Sequence, residues 1–187
     1  MSVRKYTLRV TLTAIFTALL VTIQFLTAPL GNQLVTGTAV NLLLIISLLT
    51  CGPAVGLTVA AISPIFAFLA GMGPAIPPII PFMMIGNTAL IGAWYLLGLL
   101  NRQGKPKIVQ TGVHILIAIG AAIVKFSVLY IGIVLWAVPY LLSVSQKQSA
   151  LLTAAFSYPQ LLTAIIGGFC ALAIAPLVHK ALKHQIV

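Results

Sequence analysis

Residues 115–135 read ILIAIGAAIVKFSVLYIGIVL. A run this long and this apolar has the length of a membrane crossing, roughly 20 residues. Its single charge, Lys125, falls in the middle. A cation in hydrocarbon costs roughly 2.5–3.5 kcal/mol on insertion scales, so it normally finds a partner. The 187-residue chain has ten Lys and Arg but no Asp and no Glu, for a formal net charge of +10. No side-chain carboxylate can therefore serve. What remains is a ligand, another subunit, lipid, water, backbone carbonyls, or a neutral amine. The same absence removes most acid–base catalysis and ion coupling, so the composition points to binding.

The rest of the chain has the same character, at 61% hydrophobic and 5% charged. Too many apolar runs are present, and they are too long, for a secretory signal followed by a soluble domain. The expected fold class is all-α: an integral membrane protein of six transmembrane helices in one domain, 1–187. The segments are 8–26, 38–51, 55–69, 79–100, 108–138 and 151–181. The second and third, short for a full crossing, meet at Cys51-Gly52-Pro53, which reads as a tight turn. Period-two alternation is missing, which argues against a β-barrel.

The cations orient these spans. Arg4, Lys5 and Arg9 precede the first, Arg102, Lys105 and Lys107 lie in the fourth connection, and Lys180 and Lys183 end the chain. With six spans all fall on one side, which the positive-inside rule assigns to the cytoplasm, together with both termini. Only Lys147 falls opposite. These cations serve topology and lipid headgroups, so no nucleic-acid partner is expected. Cys51 and Cys170 are isolated small hydrophobes, and no metal or cofactor site is expected. No internal repeat is evident.

In this orientation the intramembrane polar residues collect in the outer half. Gln24 ends span one, and Asn32, Gln33, Thr36 and Thr38 form the first outer loop. Asn41 enters span two, and Asn87 lies roughly 12 Å down span four at 1.5 Å per residue. Lys125 and Tyr130 occupy the outer half of span five, and Tyr158 and Gln160 open span six. The inner half is apolar apart from His114. A pocket open to the outside has this pattern, whereas an ion pathway needs polar groups at every depth. The candidate binding residues are Gln24, Asn41, Asn87, Lys125, Tyr130 and Tyr158. Each also has a structural alternative, as interhelical hydrogen-bond partner, snorkelling cation or interface aromatic. Two Gly/Pro-rich outer loops, 28–33 and 71–78, are either lids or stiff turns.

Span one contains Ala14-Ile15-Phe16-Thr17-Ala18, with alanines four apart on one helix face. Such a patch lets another helix approach closely. With this patch, Val35-Thr36-Gly37-Thr38-Ala39-Val40-Asn41, Gly52-Pro53-Ala54-Val55-Gly56 and Pro81-Phe82-Met83-Met84-Ile85-Gly86-Asn87, the chain resembles the substrate-binding S components of energy-coupling factor (ECF) vitamin transporters. The likeness covers spans one to four; spans five and six match in character. It implies a subunit of the bacterial plasma membrane that captures a water-soluble vitamin from outside. That subunit docks on a transmembrane coupling subunit attached to two ATPase subunits, and it reorients in the lipid bilayer to deliver the vitamin. By match to the family motif, Ala14 and Ala18 would meet the coupling subunit. The chain has no GxxxxGK[ST] loop and no Walker acidic residue, so it is not an ATPase itself and no catalytic residue is expected.

Lys125 with Asn41 and Asn87 suits a ligand carrying a carboxylate, and pantothenate fits. Relatives with these motifs also include proposed carriers of hydroxymethylpyrimidine or pyridoxine, for which stacking on Tyr or Trp would matter more. Three other classes stay open at this point. A stand-alone secondary transporter would have to couple to an ion through carbonyls alone. A membrane enzyme would have to use His114, Cys51, Cys170 or Lys125 without an orienting third group. A structural subunit would bind no small molecule.

Overall fold

The computed structural model describes residues 3–72, 76–99 and 107–186. Arg102, Lys105 and the tip of the second Gly/Pro-rich loop lie outside the described residues. Within them the chain is helical and contains no strand. The main helices are α1 (Val3–Thr27), α2 (Gln33–Cys51), α3 (Pro53–Leu69), α4 (Ile80–Leu99), α5 (Lys107–Leu129), α6 (Gln146–Ala155) and α7 (Tyr158–Ile186). Short 3-10 turns, Ala28–Leu30 and Pro77–Ile79, precede α2 and α4.

Five runs are long and apolar enough to cross a membrane: Val3–Leu30, Gln33–Cys51, Pro77–Leu99, Val109–Leu141 and Gln146–Val178. Pro53–Leu69 is apolar but has only 17 residues, roughly 25 Å at the α-helical rise. The expected tight turn between α2 and α3 is present. Gly52 adopts φ 87°, and its N–H donates to the Leu48 carbonyl at 2.9 Å, a conformation that glycine reaches without strain.

Three boundaries differ from the sequence expectation. Helix α2 begins at Gln33, because Asn32 caps it by accepting from the Leu34 N–H at 2.9 Å. Gln33, Thr36 and Thr38 are therefore helical rather than in a loop. Helix α5 continues past Leu129 as a wider π-wound segment, Tyr130–Leu141, which contains Pro139. The expected sixth span starts earlier and is broken in two. Ser145 and Gln148 form a reciprocal capping box that starts α6, and Pro159 is the second residue of α7. Proline has no N–H to return to the carbonyl four residues back, here Ala155. That carbonyl instead accepts from the Gln33 side chain at 2.6 Å and the Gln160 side chain at 3.2 Å.

The core lies where α2 packs against α7, α1 and α3, and where α4 and α5 close the other side. Leu44, Ile45, Leu90, Ile91, Ala118, Ala121, Ala164 and Ala171 are all buried there. The small residues of α5 and α7 bring backbones close, the packing that helices use where lipid supplies no hydrophobic drive. A second, smaller cluster joins Ile79, Leu129, Ile133, Leu152 and Phe156 under α6.

Candidate functional site

Lys125 is 3% exposed and sits between two helices that each present a buried asparagine. Its Nζ donates to Asn41 Oδ1 on α2 at 2.6 Å and to Asn87 Oδ1 on α4 at 2.8 Å. Both are short enough to be charge-assisted bonds. Asn41 in turn donates through Nδ2 to Thr163 Oγ1 at 3.2 Å, and that hydroxyl donates to the Gln160 carbonyl at 3.2 Å. This order of donors fixes which end of the Asn41 amide faces the amine. One connected network thus ties α5 to α2, α4 and α7.

Close backbone approach holds Asn41 in this position. A Cβ on Gly167 of α7 would lie 2.8 Å from Asn41 Cβ and 2.9 Å from the Thr38 carbonyl oxygen. One on Gly37 would lie 2.9 Å from Thr163 Cγ2. The Gly167 contact is with backbone, which cannot rotate away. Gly167→Val should therefore force α2 and α7 apart, destabilise the protein by about 1–3 kcal/mol and draw Asn41 off Lys125. Thermal unfolding in detergent measures the first effect; an unshifted transition would show that the two helices are not held in contact there.

The three polar residues line a cavity of about 360 Å³, within the size range of small-molecule sites. Gln24, Gln33, Thr36, Ser63 and Gln160 also line it. Its apolar wall is Leu20, Val40, Met83, Leu129, Leu151, Leu152 and Phe156, among others. Among the described residues Phe156 is the only aromatic side chain of the lining. The site therefore offers one cation, several neutral hydrogen-bonding groups and an aliphatic wall.

The structure brings together Gln24, Asn41, Asn87 and Lys125, four of the six residues expected to bind a ligand. Gln24 also donates to the Leu20 carbonyl at 3.3 Å. Tyr130 is not in the lining and stacks instead on Phe126, with ring centroids 5.5 Å apart. Tyr158 is 69% exposed and also lies outside it. Of the two Gly/Pro-rich loops, only Gln33 at the end of the first reaches the cavity among the described residues. The cover is α6, through Leu151, Leu152 and Ala155, and the adjoining Phe156. Sequence reading did not select Ser63, Gln33, Thr36 or Gln160 as binding residues. The last three carry a signal, since each is a polar residue beside an apolar helix.

Gln33 ties this cover to α2 through the Ala155 carbonyl. Gln33→Ala should loosen α6 and speed ligand dissociation by roughly two- to tenfold, the scale of one net hydrogen bond of about 0.5–1.5 kcal/mol. Filter-binding washout of a radiolabelled ligand measures the rate. An unchanged rate would mean that α6 does not gate exit.

Ala14 and Ala18 lie elsewhere, exposed on α1. They line a groove of about 1070 Å³ between α1 and α3, with Tyr6 and Arg9 at one end and Leu69 and Ala70 at the other. Thr17, between them, has a buried hydroxyl with no hydrogen-bond partner among the described residues. The ligand cavity and this groove share no residue.

Comparison with curated proteins gives no match, and neither does comparison with solved structures. Comparison with protein families gives one, the substrate-specific component of ECF transporters, over residues 8–179. A match across nearly the whole chain, on an all-helical apolar scaffold holding a polar cavity, settles the assignment: the protein belongs to the ECF transporter substrate-specific component family.

Proposed function

We propose that this chain captures a water-soluble vitamin bearing a carboxylate, with pantothenate favoured, and passes it to the ECF machinery. The observation that carries this reading is the buried Lys125, bonded to two neutral amide oxygens inside a cavity, in a chain without a single acidic side chain. A ligand carboxylate supplies the missing counter-charge. The lining also favours an aliphatic acid over a pyrimidine or pyridine vitamin. A flat ring gains most from aromatic stacking, and among the described residues the lining has only Phe156 to provide it.

The membrane arrangement belongs to the same proposal. Six helical segments cross the bilayer, α6 and α7 counting as one, with both termini in the cytoplasm and the cavity open outward. The 17-residue α3 crosses against protein on both flanks, where α1 and α4 pack on it. A separate coupling subunit with two ATPases supplies the energy, and the Ala14–Ala18 face docks on it. Reorientation in lipid then carries the enclosed vitamin inward. Mass spectrometry of small molecules retained by the detergent-purified chain tests the ligand assignment. Pantothenate, or another carboxylate-bearing vitamin, is expected. Retention of a neutral aromatic vitamin instead would overturn it.

A further inference from the structure

Ser63 is 0% exposed, it lines the same cavity, and its Oγ has no hydrogen-bond partner among the described residues. Thr17 shares this state but lies in the α1–α3 groove, outside the ligand cavity; the following hydroxyls are all satisfied. Thr27 donates to the Ile23 carbonyl at 2.7 Å, Ser47 to Leu44 at 2.7 Å, Thr50 to Ile46 at 2.7 Å and Thr58 to Ala54 at 2.8 Å. Such a return to the preceding turn is the ordinary way for a hydroxyl to satisfy itself in an apolar helix. Ser63 does not make it, although Pro64 beside it lacks the N–H that would have bonded the Ala60 carbonyl. A buried hydroxyl left unpaired is unfavourable unless a visiting group completes it.

The neighbouring groups show what that visitor must offer. Asn41 Oδ1 and Asn87 Oδ1 are both already occupied by Lys125. The ammonium has three N–H bonds, and two are used. Asn87 Nδ2 makes no hydrogen bond within the described residues. An N–H of Lys125, the Nδ2 of Asn87 and the hydroxyl of Ser63, from α5, α4 and α3, thus belong to residues that line one cavity. All three can donate, and the amide oxygens of Asn41 and Asn87 each already accept one hydrogen bond from Lys125.

We propose that Ser63, Asn87 and Lys125 form a donor-rich seat for the oxyanion of an acidic ligand, with Ser63 as a specificity-determining residue. The inference rests on the reading of this cavity as a ligand site, and it assigns the ligand's inner group to the carboxylate class. Ser63 donates one hydrogen bond to that oxyanion, and Lys125 supplies the charge.

The test places a thiol at the seat. Ser63→Cys in the full chain, with Cys51 and Cys170 changed to Ala, is labelled with an anionic sulfonatoethyl methanethiosulfonate and with its cationic trimethylammonium counterpart. Each rate is taken relative to a free thiol in solution. The anionic reagent should be favoured by about tenfold or more, and Lys125→Met should remove that preference. Pantothenate should slow the labelling. An anionic preference without protection by pantothenate would keep the seat and reject pantothenate as its occupant. No preference, or no labelling by either reagent, would overturn the seat. Where pantothenate does protect, Ser63→Ala should bind it roughly tenfold more weakly, while the melting temperature of the ligand-free protein does not fall. Wild-type affinity would remove Ser63 from the seat.

Discussion

Lys125→Met should weaken binding of the acidic vitamin by about 1.5–3 kcal/mol, the range for a hydrogen bond to a charged group, or roughly ten- to 150-fold. Two losses combine. An acidic ligand would lose its cationic partner, since no other Lys or Arg among the described residues lines the cavity. Asn41 and Asn87 also lose the donor that orients their amides, so the seat loosens. Methionine keeps most of the side-chain volume, which limits the cavity term. The unfolding transition separates this from misfolding. Binding should fall while the transition moves little, because the substitution also relieves the burial of a cation. Calorimetry on the purified chain reads the affinity. Unchanged affinity would take Lys125 out of the site.

Ala14→Trp or Ala18→Trp should reduce vitamin uptake by about tenfold or more while leaving binding intact. Both alanines are exposed on α1 and line the α1–α3 groove, which shares no residue with the ligand cavity. An indole there keeps a partner helix from close approach, and overpacking of this kind costs about 1–3 kcal/mol. Uptake by cells or proteoliposomes containing the complete transporter reads one activity, and ligand binding by the isolated chain reads the other. Parallel loss of both would point to damage within the chain. Full uptake with either variant would place docking on another face.

How much the sequence disclosed depended on how residue types behave in an apolar helix. Lys125, Asn41 and Asn87 stood out because such side chains are costly in hydrocarbon without partners, and the structure joins all three. Tyr130 shows where reading by depth falls short. It follows Lys125 by five residues, which at about 100° per residue puts it well away from the Lys125 face. Leu129, four residues on, lies on that face and lines the cavity. Helical geometry alone would have separated the two.

The broken last span was also partly legible. Pro159 is a visible breaker, and Asn32 just before α2 is a visible cap. Ser63 was not legible at all. A serine in an apolar helix usually bonds its own backbone, whereas Ser63 has no partner among the described residues.

In the proposed function the counter-charge of the buried Lys125 ammonium arrives with the ligand. The most direct measurement of this compares pantothenate with pantothenol, in which a neutral alcohol replaces the carboxylate, on wild-type protein and on Lys125→Met by calorimetry. The predicted result is that the wild type prefers the acid by roughly tenfold or more and that the preference disappears in the variant, so that charge and Lys125 act as one coupled pair. Equal affinity of the wild type for acid and alcohol, or a preference that survives loss of Lys125, would contradict it.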